Sequence, residues 1–124
     1  MTHKTLTLHT ADGQTIGAYV AEPTGKPKGG IVVVQEIFGV NAHIRSVADG
    51  YAAAGYLAIA PAVFDSVEKN VELGYDQAGM EKGIALVSAL GFDRAHASVQ
   101  AAAKAVATAG KVGVVGYCWG GTIA

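Results

Sequence analysis

The sequence has one cysteine, few charged residues and no long apolar run, and each shortage excludes a class of protein. A single cysteine among 124 residues cannot form an internal disulfide. No apolar run approaches the roughly 20 residues that a membrane helix needs, and residues 1–6 lack the apolar core of a secretory signal. We therefore expect a cytoplasmic protein with no membrane partner.

The charges are balanced and scattered, with nine basic residues against ten acidic ones. No basic cluster is present to attract phosphates, so nucleic acid is not an expected partner. Hydrophobic residues make up 51% of the chain, which is typical of a globular protein and excludes disorder. The length fits one domain with a real core, although it is short for an α/β enzyme.

Residue patterns in the first half predict an α/β fold. Residues 5–9 and 15–21 alternate polar and apolar around a turn, which indicates an antiparallel hairpin at a sheet edge. Residues 31–34 and 56–60, the latter ended by Pro61, are apolar runs typical of strands covered on both faces. A helix over 42–54, capped by Asn41 and stopped by Gly55, would connect these two strands in a right-handed parallel crossover.

The second half continues the alternation of helices and strands. We expect a loop over 62–74, a helix over 76–90, a helix over 94–109 and a strand over 112–115. The first of these helices contains Gly79 and Gly83, where we expect an interruption or bend. Asp93 is the expected cap of the second helix, and its small apolar residues predict close packing against the sheet.

The residues that end the last strand carry the most specific chemical signal. Gly116-Tyr-Cys-Trp-Gly120 has the G-x-nucleophile-x-G spacing of a nucleophile elbow, with Cys118 in place of serine. So tight a turn leaves almost no room for neighbouring side chains, which explains the glycines. Cys118 as a buried small hydrophobe is the alternative, but it does not explain the glycine on either side. A thiol nucleophile also needs a nearby group that lowers its pKa or takes its proton.

Two other features of the sequence concern the candidate site. Gly116 and Gly121-Thr122 have the spacing of a phosphate-binding loop, but the lysine that would bind phosphate is missing between Gly121 and Thr122. We expect no nucleotide and no other cofactor. Glu36, in contrast, directly follows the apolar strand at 31–34, and ligands of open α/β sheets bind beyond the carboxyl ends of the strands. Glu36 is therefore a candidate site residue.

Residues 116–121, 35–41 and 58–61 together resemble the dienelactone hydrolase family, the cysteine branch of the α/β-hydrolases. The resemblance covers essentially the whole chain. It implies the α/β-hydrolase fold and hydrolysis of an ester or lactone, because the family converts dienelactones to maleylacetate.

The resemblance also implies residue roles. Cys118 would be the nucleophile, Glu36 would contact the thiol and manage its proton, and the backbone N–H groups of Ile37 and Trp119 would form the oxyanion hole. A small ester or lactone is the implied substrate, and no metal is implied. Further candidates for substrate contacts are Phe38, Tyr117 and Lys82.

The position of Cys118 near the end of the sequence affects the expected activity. In this fold the acid and the histidine follow the nucleophile, whereas only six residues follow Cys118 and all four histidines precede it. We expect residues 1–124 to be a single incomplete α/β-hydrolase domain, truncated after the elbow, that can at most be acylated. The alternative is a half-domain without enzymatic activity that pairs with a complementary chain or with itself through an exposed sheet edge.

Overall fold

The structure is a computed structural model that describes residues 2–124. Its strands are β1 (Thr2–His9), β2 (Thr15–Glu22), β3 (Gly30–Val34), β4 (Leu57–Pro61) and β5 (Val112–Gly116). Its α-helices are α1 (Ala42–Ala53), α2 (Gln77–Leu90), α3 (Phe92–Val106) and α4 (Trp119–Ile123). Within residues 2–124, no helix is both long and apolar enough to cross a membrane.

All five strands belong to one mixed sheet in the order β1-β2-β4-β3-β5. The first two strands form an antiparallel hairpin, and β2 also pairs antiparallel with β4, so the hairpin lies at one side of the sheet. The other strands, β4, β3 and β5, pair in parallel. The predicted fold class, an edge hairpin followed by three parallel strands with flanking helices, is confirmed.

The sheet is covered on both faces, as the apolar runs predict. Val33 points to the face covered by α1 and packs in a cluster with Ile44 and Ala48. Its neighbours Val32 and Val34 point to the opposite face, where α3 packs. The approach of α3 is close, because a Cβ on Gly30 would lie 2.7–2.9 Å from atoms of Val106. The predicted tight packing of this helix is confirmed.

Helix α1 begins as predicted, whereas α3 does not. The Asn41 side chain caps α1 by accepting a hydrogen bond of 3.1 Å from the Ile44 amide. Asp93, however, is not the cap of α3, because the helix already begins at Phe92 and Asp93 lies within its first turn. The reason is Gly91, which ends α2 with a φ of 77° and turns the chain directly into α3.

Some other boundaries also differ from the predictions. Helix α2 is continuous, so of the predicted interruption or bend at its glycines the interruption is wrong. A 3-10 turn follows α3 at 107–109. The expected loop over 62–74 contains a second 3-10 turn at Val63–Ser66. Burial of Val63 and Phe64 gives this short segment its order. Pro61 is the last residue of β4 rather than its stop.

Candidate active site

The turn between β5 and α4 has the geometry expected of a nucleophile elbow. Cys118 has φ 58° and ψ −123°, in the left-handed half of the Ramachandran map that few residues other than glycine adopt. Its side chain is exposed. Strained backbone of this kind concentrates at functional sites. The strand, the turn and the helix occur where the G-x-C-x-G spacing predicts them.

Close contacts with backbone carbonyls explain why Gly116 and Gly120 of the elbow are glycines. A Cβ on Gly116 would collide with the carbonyl of Gly120, one turn later. A Cβ on Gly120 would collide with the carbonyls of Val34 and Gln35, at the end of β3. The elbow therefore packs directly on the segment that follows β3.

Strand register brings Glu36 and Cys118 to corresponding positions. Val34 pairs with Gly116 in the parallel ladder of β3 and β5, and the Tyr117 amide donates a hydrogen bond of 3.4 Å to the Val34 carbonyl. Glu36 and Cys118 each lie two residues beyond this pair. Both therefore lie at the carboxyl ends of adjacent strands, where ligands of α/β sheets bind.

The carboxylate of Glu36 is held by a residue that sequence reasoning missed. The Tyr75 hydroxyl donates a hydrogen bond of 2.6 Å to Glu36 Oε1 and accepts one of 2.9 Å from Asn41 Nδ2. The Tyr75 ring packs on Phe38 with 4.5 Å between centroids. Within residues 2–124, no hydrogen bond joins Glu36 to Cys118. No sequence signal marks Tyr75, because its partner lies 39 residues away.

The state of the Tyr75 hydroxyl follows from its surroundings. Loss of surrounding water and, after it, the hydrogen bond to Glu36 raise the pKa of Tyr75 above its ordinary value. The hydroxyl therefore stays protonated near neutral pH and remains the donor to the carboxylate.

Gln35 fixes the loop that carries Glu36 and was also missed. Its side chain is fully buried, donates a hydrogen bond of 3.0 Å to the Glu36 carbonyl and accepts one of 3.2 Å from the Val63 amide. The loop after β3 is thus tied to the turn after β4. A buried glutamine needs such partners.

The two amides expected to form the oxyanion hole are both free. In the part of the chain that the structure describes, neither the Ile37 nor the Trp119 N–H donates a hydrogen bond to protein. The segment around Ile37 is fixed by α2, because a Cβ on Gly83 would lie 2.5 Å from the Ile37 carbonyl oxygen. The Trp119 ring stacks on Phe64 with 5.5 Å between centroids.

The remaining candidates have different surroundings. Tyr117 precedes Cys118 and its ring meets that of His43 edge-on at 6.1 Å. Burial, and then Tyr51, raise the pKa of Tyr117. Lys82 lies on the exposed side of α2, where its Nζ is 3.0 Å from Glu68 Oε2.

In the described part of the chain, Cys118 belongs to no group of potential metal ligands and lines neither of two cavities found elsewhere. Within residues 2–124, no group of three or more His, Cys, Asp or Glu side chains could hold a metal ion. A cavity of about 450 Å³ lies between the hairpin turn and α3, and one of about 190 Å³ lies beside Arg45. Cys118 and Glu36 line neither of these two cavities.

Comparison with known proteins agrees with this geometry. The model of the dienelactone hydrolase family matches residues 16–124. A Synechocystis protein provisionally named a carboxymethylenebutenolidase is 37% identical over 94% of this chain and 51% of its own length. The carboxymethylenebutenolidase of Pseudomonas putida is 33% identical over 96% of this chain and 52% of its own length.

A crystal structure from Klebsiella pneumoniae, provisionally named a dienelactone hydrolase, superposes with a TM-score of 0.74 and 30% identity. The superposition covers 99% of this chain and 53% of that one. The fold is therefore that of an α/β-hydrolase, and the chain spans about half the length of the relatives that it matches. On the family match and these relatives, the chain belongs to the dienelactone hydrolase family.

Proposed function

We propose that this chain supplies the nucleophile and oxyanion hole of a hydrolase that acts on small carboxylic esters or lactones. The observation that carries the proposal is the backbone of Cys118, which holds φ 58° at the turn between β5 and α4. A strained cysteine at this point has no role in packing, since its side chain is exposed. Family membership supports the same class of reaction.

The proposed reaction begins with attack of Cys118 Sγ on the ester or lactone carbonyl carbon. The thiol proton passes to the Glu36 carboxylate and then to the leaving oxygen as the C–O bond breaks. The product of this step is a thioester on Cys118, which water later converts to the free acid and the thiol. The Ile37 and Trp119 amides donate to the carbonyl oxygen while it carries negative charge.

Other residues have smaller parts in the proposal. We assign Phe38 a contact with the substrate because its ring packs on Tyr75 beside Glu36. We assign Tyr117 a substrate contact because it directly precedes the nucleophile. Lys82 would have to leave its ion pair with Glu68 in order to contact a substrate. The substrate class is a small ester or lactone, with no cofactor.

Acylation by p-nitrophenyl acetate tests the proposal. We expect a burst of about one equivalent of p-nitrophenol without sustained turnover, because within residues 2–124 no histidine is hydrogen-bonded to Cys118 to activate water. Intact-mass spectrometry should find one acetyl group on the protein. Cys118→Ala should abolish both signals, and a burst of equal size in that variant would refute the role of Cys118. Sustained turnover would show that a residue of this chain activates the water that hydrolyses the thioester.

A second candidate function is that of a half-domain that associates with another copy of itself. It is favoured by β5, which within residues 2–124 pairs with β3 alone and leaves the Val114 side chain 42% exposed. An apolar strand with one unpaired edge favours pairing with another chain. Light scattering should then give a dimer mass, and Val114→Lys should return it to that of a monomer. A wild-type monomer at every concentration would rule out this function.

A further inference from the structure

Three hydrogen bonds in a row lead from helix α1 to the Glu36 carboxylate. The Ile44 amide donates to Asn41 Oδ1 at 3.1 Å, and Asn41 Nδ2 donates to the Tyr75 hydroxyl oxygen at 2.9 Å. The Tyr75 hydroxyl in turn donates to Glu36 Oε1 at 2.6 Å. All three donors therefore point the same way, from the helix toward the carboxylate.

The direction of these hydrogen bonds is set at the amino-terminal end of helix α1. Because Asn41 uses its oxygen to cap α1, its amide nitrogen is the atom left to face Tyr75. An amide nitrogen can only donate, so it occupies a lone pair of the Tyr75 oxygen. The tyrosine proton then has the carboxylate as its acceptor.

The tyrosine itself is held by its ring. Most of the Tyr75 surface is exposed, yet its ring packs at a tilt of 57° on that of Phe38, which is buried and belongs to the same loop as Glu36. Ring contact and hydroxyl contact therefore fix Tyr75 against the loop from two sides. Only Oε1 of Glu36 is used by this bond.

We infer that Tyr75 is a positioning residue: it holds Glu36 Oε1 so that the carboxylate stays at the elbow, with Oε2 available to the Cys118 thiol. The inference rests on the proposed function, because it assigns Tyr75 a role through the proposed role of Glu36. Without the tyrosine hydroxyl, the carboxylate is free to rotate toward solvent and accepts the thiol proton less often.

The test compares acylation rates at two pH values, with p-nitrophenyl acetate as the probe. At pH 6 few ordinary thiols are ionised, so acylation depends on a base, whereas near pH 9.5 a thiol ionises without help. Glu36→Gln should lower the acylation rate about tenfold or more at pH 6 and leave the rate near pH 9.5 unchanged. Tyr75→Phe keeps the ring on Phe38 and should lower only the pH 6 rate, by about threefold.

Two further variants separate positioning from folding. Asn41→Ser keeps a helix cap but removes the donor to Tyr75, so it should lower the pH 6 rate in the same direction as Tyr75→Phe. Tyr19→Phe is the matched control, because the Tyr19 hydroxyl also donates to a carboxylate, Asp49, at 2.6 Å. It should change neither rate. In the double variant of Glu36 and Tyr75, the rate should equal that of Glu36→Gln alone.

The outcomes distinguish the inference from the function on which it rests. If Glu36→Gln lowers the pH 6 rate and Tyr75→Phe does not, the inference is wrong and the role of Glu36 stands. A faster Tyr75→Phe, or one slowed equally at both pH values, also overturns the inference. If Glu36→Gln has no effect at pH 6, the proposed role of Glu36 fails and the inference fails with it.

Discussion

The Gln35 side chain accepts a hydrogen bond of 3.2 Å from the backbone amide of Val63, 28 residues later in the chain. The same side chain donates to the Glu36 carbonyl. Gln35 follows β3 and Val63 follows β4, so one buried amide ties the ends of two adjacent parallel strands together. The loop that carries Glu36 and Ile37 begins from this fixed point.

Replacing Gln35 should therefore be costly. Gln35→Met leaves the Val63 N–H and the Glu36 carbonyl without their partner, and we expect the free energy of unfolding to fall by about 2–4 kcal/mol. Gln77→Met is the matched control, because Gln77 is exposed and its side chain donates a hydrogen bond to the exposed Glu81. Its effect should stay within about 0.5 kcal/mol. Urea unfolding measures both, and equal losses would contradict the assignment.

Gly120 of the elbow and its neighbour Gly121 should differ in their tolerance of a methyl group. Gly120→Ala places a Cβ against the carbonyls of Val34 and Gln35, and we expect it to lower the free energy of unfolding by about 1–3 kcal/mol. Gly121→Ala is the control, since its Cβ would lie 3.6 Å from the nearest backbone oxygen. It should be neutral or stabilising by up to about 1 kcal/mol. Thermal and urea unfolding would expose an error if the two variants behaved alike.

The backbone strain at Cys118 should be measurable. Glycine adopts φ 58° and ψ −123° with little penalty, whereas alanine does not. We expect Cys118→Gly to be more stable than Cys118→Ala by about 1 kcal/mol, although glycine is usually the less stabilising residue. Urea unfolding of the two variants tests this. Greater stability of the alanine variant would mean that the elbow relaxes once the thiol is gone.

The Tyr19 hydroxyl gives the stability a pH dependence in alkaline solution. Burial, and then the hydrogen bond to Asp49, raise the pKa of Tyr19 from 10.0 to about 12. The stabilisation is fully present below pH 10, the unfolded value, and is lost as the pH rises toward 12. The stability difference between wild type and Tyr19→Phe should thus shrink across this interval. Ultraviolet titration should lack the most alkaline tyrosine step in the variant, and an unchanged titration would contradict the assignment.

Much of the fold follows from local patterns in the sequence. The apolar runs that became β3 and β4 alternate between the two faces of the sheet, so burial on both sides is readable without knowledge of their partners. The elbow is local in part, because a Cβ on Gly116 would meet the carbonyl of Gly120 four residues later, whereas Gly120 is also required by the distant end of β3. Family membership follows from the same segments.

The contacts that the sequence did not predict join residues that lie far apart in the chain. Tyr75 contacts Glu36, and Gln35 contacts Val63, only once the sheet has formed. Neither Tyr75 nor Gln35 belongs to a motif with a fixed residue spacing. The start of α3 was missed for another reason. Asp93 is a good cap by residue type, but the positive φ of Gly91 starts the helix earlier, and backbone angles of a glycine are not visible in a sequence.

The Asn41 side chain links the start of helix α1 to the candidate site. Its oxygen holds the first turn of the helix and its nitrogen holds Tyr75. Opening of that turn exposes the Ile44 amide to solvent and also releases the tyrosine from its second partner. Hydrogen exchange at a single backbone amide, that of Ile44, should therefore report how often the Asn41 side chain, which also donates to Tyr75, leaves the helix cap.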